Sequence, residues 1–127
     1  MNTIRVYNLA PSLNHDKCAS VFNAAGIYMI LDVNSPLTGG YLDRTDPQST
    51  YNPTYFNQVF GVIEAFKNYP NTLAFFAGNE VINEDSVKSV PAYIRVCTSP
   101  YLDGRLNHFL IVVIRTYLLC SRPSNAT

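Results

Sequence analysis

An amide and a carboxylic acid stand side by side at Asn79 and Glu80, just after a short apolar run, Thr72-Leu73-Ala74-Phe75-Phe76-Ala77, that ends at Gly78. The run has the length and aromatic content of a buried strand, and Gly78 frees the backbone to turn. Asn79 and Glu80 are therefore expected at the carboxyl end of that strand. In parallel α/β folds this end mounts catalytic side chains and binds ligands, so Glu80 is a candidate general acid/base with an orienting amide beside it. The plainer alternative is that Glu80 opens a solvated loop.

The elements needed to hold such a pair can be read upstream. Residues 3 to 9 form a short strand, and Asn8 to Ser12, with Pro11, a loop. Asn14 is placed to cap a helix with His15 and Asp16 in its first turn and Cys18, Val21, Phe22 and Ala25 as its apolar positions. Gly26 ends it. Ile27 to Val33 is a nearly continuous apolar run interrupted only by Asp32, as in a strand buried on both faces. Residues 34 to 52, rich in Pro, Gly, Asn, Asp, Ser and Thr, predict a long loop, and loops of that length usually carry function. Asn52 caps and Pro53 opens a second helix, with Phe56, Val59, Phe60, Ile63 and Phe66 as its core stripe. Strand, helix, strand, helix, strand, with crossovers this long, makes the strands parallel, the helices lying on one face by right-handed connection. Tyr7, Asp32 and Glu80 then share one end of the sheet.

Composition excludes more than it selects. The chain has 127 residues, 47% hydrophobic and 14% charged, enough for one modest core. Nine basic residues balance nine acidic ones without clustering, which leaves no electrostatic footprint for nucleic acid or an anionic membrane. Nine Tyr and seven Phe suit stacking on flat apolar faces such as sugar rings, although most will be core. Cys18, Cys97 and Cys120 are spaced too widely for a zinc site or a compact disulfide framework. The amino terminus lacks the pattern of a signal peptide.

Taken together, Thr3-Ile4-Arg5-Val6-Tyr7, Asn14-His15-Asp16-Lys17-Cys18, Gly26-Ile27-Tyr28-Met29-Ile30-Leu31-Asp32 and Gly78-Asn79-Glu80-Val81-Ile82-Asn83 resemble the fungal β-1,3-glucanosyltransferases of glycoside hydrolase family 72. These are GPI-anchored enzymes that cut and re-ligate cell-wall β-1,3-glucan. The resemblance runs from about residue 2 to residue 95 and includes Asp46-Pro47, Ser49-Thr50-Tyr51-Asn52 and Pro91-Ala92-Tyr93-Ile94-Arg95. It implies an α/β fold, a partial (β/α)8 TIM barrel holding about the second to fourth strands. By the same resemblance Glu80 is the general acid/base, and Asn79 contacts the sugar 2-hydroxyl. Tyr7 and Asp32 contact glucan, and Arg5 helps hold the charged site together. Cys18 pairs with a cysteine upstream. The implied partners are β-1,3-glucan oligosaccharides as donor and acceptor, with no metal, cofactor or nucleic acid. The implied location is the cell surface.

A retaining glycosidase needs two carboxyl groups about 5 to 5.5 Å apart, of which Glu80 supplies the acid/base. On position alone Asp32 is a candidate for the second. The resemblance instead implies a glutamate on a later strand. Transfer rather than hydrolysis requires that a bound sugar hydroxyl outcompete water at the covalent intermediate.

From about residue 96 onward the sequence departs from the family pattern. The apolar stretch Phe109 to Cys120 is broken by Arg115 and is shorter than the roughly 18 to 20 residues a bilayer requires. As a strand or helix it has no evident partner. Residues 96–127 are accordingly expected to be a poorly packed, divergent tail outside the family fold, translated from intron or shifted-frame sequence, and the chain as written reads as part of a larger barrel. Asn125-Ala126-Thr127 matches a glycosylation acceptor. Three functional classes follow: part of a glucanosyltransferase, a glucan-binding module without catalysis, and an inert fragment.

Overall fold

The computed structural model describes residues 2–35, 37–78, 81, 91–93 and, as backbone only, 110–112. Strands β1 (Thr3–Val6), β2 (Tyr28–Asp32) and β3 (Thr72–Phe76) alternate with helices α1 (Asp16–Ala24) and α3 (Pro53–Phe66), and a short helix α2 (Pro47–Thr50) interrupts the long loop. A last strand, β4 (Leu110–Val112), completes a sheet of order β1-β2-β3-β4 in which every neighbouring pair is parallel. Sequential parallel order, with each strand beside the next in the chain, is the arrangement of a barrel segment and not of a doubly wound sheet.

Two expectations are corrected here. The loop of residues 34 to 52 holds one turn of helix, because Asp46 accepts from the Ser49 amide and Pro47 opens that turn. The segment of residues 110 to 112 does have a partner. Leu110, Ile111 and Val112 stand beside Ala74, Phe75 and Phe76, where the edge of β3 would otherwise leave a row of unpaired amides and carbonyls.

Both long helices cover one face of the sheet. Met29, Leu31 and Phe75 share a buried cluster with Ala19 of α1 and with Tyr55, Val59, Val62, Ile63 and Phe66 of α3. The buried stripes are rotated from those expected. In α1, Ala19 and Phe22 turn inward beside His15, whose ring lies 4.5 Å from that of Phe66, while Cys18, Val21 and Ala25 are exposed. In α3, Tyr55 and Val62 are buried and Phe60 lies outward. The caps also differ in quality. Asn52 accepts from the amides of Thr54 and Tyr55, as expected. Asn14 sits one position outside the cap, with its Oδ1 accepting from the Asp16 amide at 2.9 Å.

The register of β3 against β2 shifts once: Met29 faces Thr72, but Ile30 faces Ala74. Leu73 is the extra residue, a bulge that reverses the alternation of the strand. Beyond it Phe75 points to the helices and Phe76 to the opposite face, level with Asp32. The start of β3 is pinned independently. Thr72 Oγ1 donates to the Phe66 carbonyl at 2.8 Å, and Asn71 Nδ2 donates to the carbonyls of Ala19 and Ile27.

The Tyr69 hydroxyl donates to Asp16 Oδ1 at 2.6 Å and ties the end of α3 to the start of α1. That bond pushes the Tyr69 pKa up to about 12 and, with a second bond from Asn14, holds the Asp16 carboxyl below its usual value. A raised folded-state pKa stabilises fully below the unfolded value and is lost as pH rises through the folded one. The tie is therefore expected to weaken from pH 10 to about 12, and at the acid end as pH falls below 3.8. Urea midpoints of the parent and Tyr69→Phe should converge in both windows and differ between them. Asn52→Ala should cost roughly 1 kcal/mol in the same assay, with Asn52→Asp near neutral.

Candidate active site

Because β1, β2 and β3 are parallel, their last residues gather at one end of the sheet. On the face opposite the helices, Arg5, Asp32 and Phe76 converge there. Arg5 Nε donates to Asp32 Oδ1 at 2.9 Å and Nη2 to Oδ2 at 2.7 Å, a bidentate pair. Asp32 is 1% exposed, and the Arg5 side chain 22%. The hydrogen bond to Asp32 raises the Arg5 pKa, so the guanidinium is a fixed charge. Its Cζ lies over the Tyr7 ring at 4.3 Å and over the Phe76 ring at 4.0 Å.

This geometry requires arginine. Arg5 is level with Ile30 in the sheet, so its stem runs up β2 to reach Asp32 and on to a ring mounted on β3. A planar fork matches both carboxylate oxygens and lies flat on an aromatic face, neither of which an ammonium does. Tyr7, just past β1, is half exposed.

The loops that rim this end are held to α3. Asn34 and Ser35 are buried just after β2. Asn34 Oδ1 accepts from the Leu42 amide at 2.8 Å, and the Ser35 amide donates to the Gly40 carbonyl at 2.7 Å. Gly39 has φ +81°, and a Cβ there would lie 2.8 Å from Thr54 Cγ2. Gln58 Nε2 donates to the Leu9 carbonyl at 3.0 Å, tying the loop that follows Tyr7 to the same helix.

Of the residues singled out from the sequence, Arg5, Tyr7 and Asp32 are brought together. Asn79 and Glu80 lie outside the described residues. Cys18 is an exposed free thiol on α1, and Cys97 and Cys120 also lie outside the described residues. Asp32 is a poor candidate for a nucleophile, since both of its oxygens are engaged by Arg5. Phe76 was not singled out. The signal for it is the Leu73 bulge, which no strand alternation reveals. Among the described residues, no three His, Cys, Asp or Glu side chains group to hold a metal, and no helix is long and apolar enough to cross a membrane.

The family model for glycoside hydrolase 72, described as glucanosyltransferase, matches residues 1–102. The chain belongs to this family. Among family 72 relatives, 1,3-beta-glucanosyltransferase gel2 of Aspergillus fumigatus is 84% identical over 95 residues, which cover 75% of this chain and 20% of gel2. A probable 1,3-beta-glucanosyltransferase of Saccharomyces cerevisiae, GAS3, is 59% identical over 97 residues, 75% of this chain and 18% of the relative. The chain thus spans about one fifth of the length of these relatives. Saccharomyces cerevisiae Gas2p, solved in complex with laminaritriose and laminaritetraose, superposes with a TM-score of 0.74 at 31% identity, over 88% of this chain and 26% of Gas2p. Its complex with laminaripentaose gives 0.76 at 28% identity.

Removing the Asp32 carboxylate strands a partly buried guanidinium. Asp32→Ala should therefore destabilise by about 3 kcal/mol, the lower end for breaking a buried pair. Arg5→Lys, which keeps the charge and loses the fork, should cost less. Denaturant titration of the two variants checks the order.

Proposed function

We propose that this chain is part of the catalytic barrel of a retaining 1,3-β-glucanosyltransferase that uses β-1,3-glucan oligosaccharides as donor and acceptor. The observation that carries the reading is the buried Arg5–Asp32 pair beside Tyr7 at the carboxyl ends of parallel strands. It occurs in a chain 84% identical to a relative named for that activity.

In this reading Glu80 protonates the glycosidic oxygen while a second carboxylate, a glutamate on a later barrel strand, attacks the anomeric carbon. The leaving chain departs with that proton, and a covalent glycosyl-enzyme remains. Glu80 then takes the proton of an acceptor hydroxyl, which displaces the enzyme carboxylate and forms the new linkage. Asp32 does not attack. Asp32 is 1% exposed, so its contact with glucan is limited to a lone pair not directed at Arg5. Tyr7 contributes its exposed ring to the same glucan chain, and Asn79 holds the 2-hydroxyl beside the reacting carbon.

The family portion is taken as residues 1–95, with 96–127 a divergent tail whose residues 110 to 112 dock on β3. Cell-surface attachment through a GPI anchor, and pairing of Cys18 with an upstream cysteine, belong to the same reading.

In the full-length enzyme that carries this segment, Glu80→Gln should lower transfer by roughly 10²- to 10⁴-fold while leaving laminari-oligosaccharide binding nearly intact. An unchanged transfer rate would remove Glu80 from the mechanism. The 127-residue chain alone, incubated with reduced β-1,3-gluco-oligosaccharides, should give no elongated products by mass spectrometry. Longer products would make Asp32 the second carboxylate after all.

A further inference from the structure

Phe76 has no part in the chemistry described so far, yet its position is hard to assign to packing alone. It is 6% exposed but lies outside the helix-side cluster that holds its neighbour Phe75. It stands directly opposite Asp32 in the sheet, and its carbonyl accepts from the Val33 amide at 3.0 Å. Its ring centroid is 4.0 Å from the Arg5 Cζ.

We propose that Phe76 is a positioning residue, whose ring fixes the plane of the Arg5 guanidinium and so the orientation in which Asp32 meets the sugar. The inference deepens the glucanosyltransferase reading and rests on it. Two parallel hydrogen bonds hold the guanidinium and the carboxylate together but tolerate tilt of one plane against the other. With the Arg5 Cζ 4.0 Å over its centroid, the Phe76 ring occupies the space into which that plane would tilt. Tyr7 makes a similar contact at 4.3 Å but is 51% exposed, so water and a bound glucan both compete for it. Phe76 is buried, and cation–π attraction is stronger where water is excluded.

The arrangement also links three strands through side chains. Arg5 comes from β1 and Asp32 from β2, while Phe76 is the last residue of β3, three positions before Asn79 in sequence. A leucine would fill much of the same volume but present no π-face. The clamp therefore needs an aromatic residue at this position, on the strand that leads into the acid/base.

The test is a double-mutant cycle in the full-length enzyme, reading kcat/KM for transfer between reduced laminari-oligosaccharides. Phe76→Leu alone should lower kcat/KM about tenfold, between the values of an exposed and a desolvated cation–π contact, and Phe76→Tyr should restore it. A lysine ammonium has no plane to fix, so in an Arg5→Lys background Phe76→Leu should cost less than about twofold further. Independent, multiplicative losses would make Phe76 a packing residue and overturn the proposal, as would an unaffected Phe76→Leu enzyme. If Phe76→Leu does not accumulate folded protein, the same cycle with Phe76→Met decides by the same criterion. A full-length parent without transferase activity would overturn the functional reading itself, and is seen before any variant is compared.

Discussion

A carboxylate with 1% of its surface exposed has to be matched by charge and hydrogen bonds, because leaving it alone in an apolar setting costs several kcal/mol. Asp32 is that carboxylate, and much else at its end of the sheet follows from satisfying it. The partner must be planar to reach both oxygens, it must have a long stem because it starts on β1, and it needs apolar rings against its faces. Arg5 meets the first two demands, and Tyr7 and Phe76 supply the rings. The same constraint limits the chemistry open to Asp32. Oxygens that share charge with a bidentate arginine are weaker nucleophiles than those of a free carboxylate.

The frame that carries this group was largely legible in the sequence, for identifiable physical reasons. Three apolar runs with long crossovers gave the three parallel strands, and Asn52-Pro53 gave the start of α3, since few other residue pairs suit a cap and a first helical position so well. Helix faces were less legible. In α3, apolar residues occur nearly all round, with Phe56, Phe60, Val62 and Ile63 close together, so spacing alone could not choose which side turns inward. In α1, Phe22 turns inward as its type suggests, but the positions beside it are Ala19 and the capping His15, types that give little apolar signal, and the more apolar Val21 faces out. The strand at residues 110 to 112 was missed for another reason. Three residues carry little pattern, and their place depends on an open edge more than thirty positions upstream in sequence.

The loops after β1 and β2 owe their shape to α3 as well as to bonds of their own, such as that from the Leu42 amide to Asn34. Gln58 holds the first by a backbone carbonyl, and in the second Thr54 crowds Gly39 while Gln58 lies close to Gly40. A helix whose main task is to cover the sheet thus also holds the loops that follow β1 and β2. This is a coupling between core and site that a residue-by-residue reading of the loop does not expose.

Two adjacent phenylalanines make β3 unusual as a structural code. A strand normally announces its register by alternating side-chain types, but with Phe75 and Phe76 in succession either frame would send one aromatic ring to the helices and one to the site. The rings therefore carry no information about which frame is correct. That choice is made at the strand's beginning, where Asn71 is bonded to Ala19 of α1 and to Ile27, Thr72 is bonded to the end of α3, and Leu73 takes up the extra residue. The end of the strand that faces the chemistry is thus indexed from the end that does not, as a ruler is read from its zero mark.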